Sequence, residues 1–162
     1  MRPNGIRLPP VRRYALYGTF AVLFATGALW FVLHDAGDAL GLPSGNTVES
    51  VLPSLMSLHG AVAMLGLLLL GSLGPQHIVW AWRARTNRAT GSVLILVQLL
   101  LVVTGYLLYY AGGENLRWLS HWLHLLAGFT LPACIAWHVF EGRRLRRAVR
   151  VAGRRREHRL VG

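Results

Sequence analysis

Apolar residues fall in four long runs that are separated by polar, glycine-containing connections. The runs are Tyr14–Leu33, Val51–Leu73, Val93–Ala111 and Trp118–Phe140. Each has about the 20 residues that a helix needs to cross the hydrocarbon core of a bilayer. Because lipid offers no hydrogen-bond partner to the backbone, each run is predicted to be a helix rather than a strand. We therefore predict an all-α integral membrane four-helix bundle, whose spans are numbered one to four in chain order.

The arginines lie on one side of the predicted membrane. The chain has 17 arginines and no lysine. Sixteen occupy the amino-terminal arm, the connection between spans two and three, and the tail, whereas Arg117 alone lies on the other side. Positive residues near the ends of spans favour the cytoplasmic side. Both termini are therefore predicted to be cytoplasmic, and the expected location is a bacterial inner membrane.

Three segments follow from this topology. Residues 1–13 form a cytoplasmic arm, residues 14–142 form the membrane domain, and residues 143–162 form a basic cytoplasmic tail. The outer connections, residues 35–50 and 112–117, are too short for a soluble catalytic domain. Chemistry on a water-soluble substrate is therefore expected from a partner protein or at the membrane face.

Composition narrows the function classes further. Hydrophobic residues make up 54% of the chain and charged residues only 14%, with a net charge of +11. Because the positive charge follows the topology, the tail is expected to contact membrane lipid, and no nucleic-acid partner is expected. Cys134 is the single cysteine. This excludes a disulfide framework, a cysteine-based zinc site, an iron–sulfur cluster and covalently attached c-type haem.

Histidine is rare inside membrane spans, and four histidines of this chain are placed in an ordered way. His59 and His77 are assigned to the outer and inner ends of span two, and His124 and His138 to the same ends of span four. The 18-residue step on span two is five full turns, about 27 Å, and the 14-residue step on span four returns to within about 40° of one face, about 21 Å away. Since spans two and four run parallel, His59 can face His124, and His77 can face His138.

Two facing histidine pairs at two depths suit two haems b. Two neutral imidazoles on one haem iron give a low-spin centre that transfers electrons. Haem is large and flat, so its neighbours must include small residues. The glycines that meet this need are Gly66 and Gly128, near the two histidine stripes, with Gly105 on span three and Gly27 on span one. Glycine is also frequent in membrane helices generally, where it allows close packing.

Other polar residues have more than one interpretation. His121, one turn before His124, could replace it as the outer ligand, hydrogen-bond a haem propionate, or serve protonation at a quinone pocket. Arg117 and Arg83 could bind propionates through their guanidinium groups, or act as interface anchors. His34 and His158 are expected to be solvated residues at the interface rather than ligands.

The stretch His59–Arg144 resembles the four-helix, membrane-integral cytochromes b that serve as subunits of respiratory dehydrogenases, hydrogenases and reductases. The 14-residue spacing of His124 and His138 is the most specific feature of this resemblance. The other matching features are His59-Gly60, His77 with the following Trp80-Ala81-Trp82-Arg83, the loop Arg85-Thr86-Asn87-Arg88-Ala89-Thr90-Gly91, then Thr104-Gly105-Tyr106 and His121-Trp122-Leu123-His124. Some members have a ligand on the first span, where this chain has no internal histidine, and His77 is the natural replacement.

The resemblance implies two haems b and a place within a hetero-oligomeric complex. Electrons would pass between an outer-side redox partner and the quinone of the membrane. The partner would be a periplasmic dehydrogenase, an iron–sulfur subunit or a cytochrome c subunit. The ligand role is carried over to His59, His77, His124 and His138.

Two rival functions come from other classes. One is a small transporter whose intramembrane histidines relay protons or bind a metal ion, and the other is a membrane anchor without haem. The four runs contain no Asp, Glu or Lys, and the chain has no inverted repeat, which disfavours the transporter. Both rivals predict a protein whose visible spectrum does not depend on His59 or His138.

Overall fold

The structure, a computed structural model, describes residues 9–42, 45–73 and 77–161, with the side chains of 46, 47, 150 and 153–161 excepted. This part of the chain is helical and contains no strand. The helices are α1 (Pro10–His34), α2 (Asn46–Leu73), α3 (Val79–Arg83), α4 (Arg88–Tyr110) and α5 (Glu114–Val161).

The four predicted spans are confirmed as four helices that are long and apolar enough to cross a membrane. The crossing segments are Pro10–His34, Val48–Leu73, Arg88–Tyr110 and Glu114–Val149. The basic tail was predicted without a secondary structure, and it continues α5 as one helix of 48 residues. The short helix α3 has no counterpart in the sequence analysis, since five residues carry too little periodicity to be recognised.

The chain divides into two compact units between His77 and Ile78. In the first unit α1 packs against α2, and in the second unit α4 packs against α5. Both packings are antiparallel. In the first unit Thr26 meets His59 and Thr19 meets Gly66, so residue numbers rise on one helix as they fall on the other.

Small and hydroxyl-bearing side chains fill the interfaces within each unit. The buried polar residues are Thr19, Thr26, Thr90, Thr104 and Ser120. Large apolar side chains such as Leu68, Leu96 and Phe140 instead point outward. This arrangement is typical of membrane helices, in which small residues allow close approach and lipid covers the apolar exterior.

The turn between α3 and α4 is held by Arg88. Its guanidinium group donates to the backbone carbonyl of Trp82 and lies 5.1 Å from the centre of the Trp82 ring. Asn87, directly before α4, has a left-handed backbone with φ of 53°. Asparagine tolerates this conformation better than most residues. The turn thereby places the Asn87 side chain against α5.

Candidate functional site

His59 of α2 lies against a Thr–Gly pair on α1. Its Nδ1 is 2.8 Å from Oγ1 of Thr26. The Thr26 hydroxyl in turn donates to the carbonyl of Val22 at 2.8 Å. A β-carbon added to Gly27 would come within 3.3 Å of Cε1 of His59. Glycine at position 27 therefore lets the imidazole approach the α1 backbone closely.

His124 of α5 has the same surroundings on α4. Its Nδ1 is 2.9 Å from Oγ1 of Thr104, and this hydroxyl donates to the carbonyl of Leu100 at 2.6 Å. A β-carbon added to Gly105 would lie 3.5 Å from Cε1 of the same ring. Gly105, which was predicted as a small neighbour of haem, lies beside the His124 ring in this structure, and its predicted role toward haem stays a prediction.

His138 of α5 lies against the third Thr–Gly pair, at the start of α4. Its Nδ1 is 2.8 Å from Oγ1 of Thr90, whose hydroxyl donates to Oδ1 of Asn87 at 2.6 Å. The Asn87 amide donates to the backbone carbonyl of His138 at 3.0 Å. A β-carbon added to Gly91 would lie 3.7 Å from Cε1 of His138. This histidine is therefore held through both its ring and its backbone.

The hydroxyl geometry favours one tautomer for His59 and His124, whereas Nδ1 of His138 also lies 3.3 Å from the Asn87 amide nitrogen, which can only donate. A hydroxyl has one proton, and the short separations between each threonine oxygen and its carbonyl or amide oxygen require the proton to lie there. Thr26 and Thr104 can then only accept from the imidazoles of His59 and His124, which places the hydrogen of these two rings on Nδ1. This tautomer places the lone pair of the neutral ring on Nε2, which is the atom a metal ion would bind.

The sequence analysis missed the threonines as histidine partners. Thr104 and the loop with Asn87 and Thr90 entered only as features of a resemblance, and Thr26 was not considered. A signal was present, however. The dipeptide Thr-Gly occurs three times, at residues 26, 90 and 104, and the last two are 14 residues apart, as are His124 and His138.

The remaining predicted ligand, His77, lies outside α2. The helix ends at Leu73, residues 74–76 lie outside the described part of the chain, and His77 stands in a π turn before α3. The helical phase argued between His59 and His77 therefore stays a prediction. His59 and His77 belong to one unit, and His124 and His138 to the other.

The other histidines have local partners. His121 is half-buried, with its ring 5.2 Å from that of Trp122 in an edge-on contact. His34 stacks on Trp30 and lies 2.8 Å from a carboxylate oxygen of Asp35. The side chain of His34 is half exposed, and its predicted place at the membrane interface stays a prediction. The side chain of His158 lies outside the described residues.

The other predicted cofactor neighbours have different surroundings. Gly66 is buried in the packing of α2 on α1, where an added β-carbon would lie 3.4 Å from the methyl group of Thr19. A β-carbon on Gly128 would only touch Leu101 of α4 at 4.0 Å. Arg83, the last residue of α3, and Arg117, in the first turn of α5, are both exposed. No described contact distinguishes these two arginines from interface anchors.

An open surface groove of about 420 Å³ lies beside the His138 contact, within the α4–α5 unit. Its polar lining comes from Asn87, Arg88, Thr90, Glu141 and Arg144. Arg144 is 3.6 Å from the Glu141 carboxylate. The groove therefore offers groups of both charges next to the network that holds His138.

The described residues contain no group of three or more His, Cys, Asp or Glu that could hold a metal ion. A haem iron needs only two protein ligands, so single histidines on separate elements remain chemically sufficient. In comparisons with known proteins, no protein-family model, curated protein or solved structure matches this chain.

Proposed function

We propose that this protein is a di-haem b-type cytochrome subunit of a membrane complex. The proposed axial ligands are His59, His77, His124 and His138. One observation carries the proposal. Three of these four histidines lie on helices long and apolar enough to cross a membrane, and each has its Nδ1 within 2.9 Å of a threonine hydroxyl on the neighbouring helix. Histidines that bind metals are held in this way, by a second residue that fixes the tautomer and the ring plane.

The residues present fit a haem on chemical grounds. A neutral ring with its hydrogen on Nδ1 presents the Nε2 lone pair that an iron ligand requires. A glycine stands beside each ring, so the helices approach closely without a side chain in between. His34 differs in the second respect, because none of the described glycines lies against its ring, although its Nδ1 also has an oxygen partner in Asp35.

The resemblance to cytochromes b supplies the rest of the proposal. When bound, the two haems would carry single electrons between an outer-side redox partner and the quinone of the membrane. The chain would contribute ligation, burial and placement of the haems. The proposed pairing, His59 with His124 and His77 with His138, rests on the sequence spacing alone. A bacterial inner membrane and cytoplasmic termini belong to the same proposal, on the strength of the arginine distribution.

A dithionite-reduced minus air-oxidised spectrum of the purified chain, with haem quantified, tests this function. We expect sharp low-spin b-type bands and about two haems per chain. Each of the variants His59→Ala, His77→Ala, His124→Ala and His138→Ala should lose about one haem, because one ligand of one iron is removed. His34→Ala is the matched control, since it removes a span-end histidine and should keep both haems.

The other results have defined meanings. One haem per chain in the wild type would retain a redox role and overturn the second ligand pair. A colourless protein, after expression with ample haem and mild detergent, would overturn the cytochrome proposal and favour the anchor or the transporter. Full haem content in His121→Ala together with loss in His124→Ala would assign the ligand between these two neighbours.

A further inference from the structure

We infer that Thr26, Thr90 and Thr104 are positioning residues that hold His59, His138 and His124 in the tautomer and orientation needed for metal binding. The inference rests on the proposed function, because it takes the three histidines as ligands. It assigns to three threonines a role that no feature of the resemblance implies.

The three contacts have similar lengths, and at His138 the Asn87 amide nitrogen also lies 3.3 Å from Nδ1. The Nδ1 to Oγ1 distances are 2.8 Å, 2.8 Å and 2.9 Å for His59, His138 and His124. All three threonines are among the most buried polar residues described. Each is followed by a glycine, and each donates its own proton elsewhere, so that its oxygen can only accept. A buried threonine followed by a glycine thus contacts a histidine at three sites, one in the α1–α2 packing and two in the α4–α5 packing.

The arrangement has two chemical effects on a ligand. A hydrogen bond from Nδ1–H to oxygen increases the electron density that Nε2 offers to a metal ion, and it prevents rotation of the ring. Stronger donation favours the oxidised iron over the reduced iron. Removing the acceptor is therefore expected to raise the midpoint potential of the haem concerned and to weaken haem binding. The expected loss of haem affinity is about 10–100-fold.

Threonine-to-valine substitutions test this role, since valine keeps the branched shape and removes only the oxygen. The test variants are Thr26→Val, Thr90→Val and Thr104→Val in the full-length chain. Thr19→Val is the control in α1, a buried threonine that packs on Gly66. Thr130→Val is the control in α5, where the hydroxyl bonds only to the carbonyl of Ala127 among its described contacts. Thr→Ser at the three test positions restores the oxygen.

Three measurements are made on each variant. They are the haem content per chain, the rate of haem loss to an excess of apomyoglobin, and the midpoint potential by redox titration. We expect faster haem loss and a higher potential in the three test variants. The two controls and the three serine variants should stay close to the wild type.

A separate measurement does not depend on haem. In a chain labelled with ¹⁵N-histidine, a hydrogen-bonded Nδ1–H gives a proton signal that exchanges slowly with water. Each test variant should lose this signal for its own histidine and keep it for the other two. The control variants should keep all three signals.

The outcomes separate this inference from the function. A wild type without haem overturns the proposed function, and the labelled histidines then decide the threonine role alone. A wild type with two haems, whose valine variants match the controls in haem loss, potential and Nδ1–H signals, overturns the threonine role. If a valine variant fails to fold while its serine variant folds and behaves as wild type, the oxygen is required, as inferred.

Discussion

At the residue scale, a candidate site residue is easier to find in the sequence when its type is unusual inside a membrane. Histidine is costly in lipid, so His59, His124 and His138 could be chosen from the sequence. Threonine is inconspicuous, because its hydroxyl bonds to a carbonyl of its own helix and costs little. Thr26 and Thr104 do this with Val22 and Leu100. Their contact with histidine depends on how two helices pack, which the residue types alone do not specify.

The glycine beside His59 gives a prediction about packing. Gly27→Ala would place a β-carbon 3.3 Å from the imidazole, so the ring must shift, whereas Gly91→Ala meets His138 at an ordinary 3.7 Å. Both substitutions gain similar helix propensity, so the difference in stability between the two variants reports the contact with the imidazole ring. We expect Gly27→Ala to be less stable than Gly91→Ala by about 1–3 kcal/mol. Unfolding of the detergent-solubilised protein measures this difference.

Gly60→Ala is the control for the same series, because a β-carbon at position 60 would meet nothing within 4 Å. It should be at least as stable as the wild type. Equal stability of the alanine variants at positions 27 and 91 would show that the His59 ring has room to move, contrary to the geometry described above.

At the scale of elements, the spans were predictable and their register was not. Length and hydropathy are properties of each segment, so all four crossing helices were found from the sequence. The matching of α4 to α5 is a property of two segments together. Thr90 meets His138 and Thr104 meets His124, so both helices carry their groups 14 residues apart. Two contacts at equal spacing fix the antiparallel register.

This register predicts the effect of a one-residue deletion. Leu96 lies on α4 between the two threonines and is 64% exposed. Its deletion would rotate one half of α4 by about 100° relative to the other and shorten it by about 1.5 Å. Only one of the two threonine contacts can then persist, and the Nδ1–H signal of either His124 or His138 should disappear. Leu96→Ala keeps the spacing and should retain both signals, and retention of both in the deletion variant would contradict the fixed register.

At the scale of the whole molecule, the unequal number of arginines on the two predicted sides of the membrane is the main evidence for topology. Sixteen of 17 arginines lie in three segments that alternate with the predicted outer connections. Hydropathy locates the candidate spans, and the arginine distribution predicts their orientation. The two compact units are each built from neighbouring helices. The hydropathy pattern cannot predict the division into two units, because it describes each span separately and not how the spans pack.

The orientation is tested with reporter fusions. Green fluorescent protein folds in the cytoplasm, and alkaline phosphatase is active only outside it. Fused after Gly162, the first should fluoresce and the second should be inactive. Truncated fusions after Gly113, between α4 and α5, should show the reverse. The opposite pattern at both positions would place the termini outside and contradict the arginine rule for this chain.

The continuous helix α5 has a consequence for how deep its histidines lie. Arg117 and Arg143 are 26 residues apart, about 39 Å along the helix, whereas the hydrocarbon core is about 30 Å thick. Sliding α5 far in either direction would draw one guanidinium group into lipid, at about 2.5–3.5 kcal/mol. The two arginines therefore limit how far α5 can slide along the membrane normal, and His124 and His138 lie between them. In a bilayer crossed in this way, both histidines would stay inside the membrane and move together by no more than about 9 Å, the difference between the two lengths.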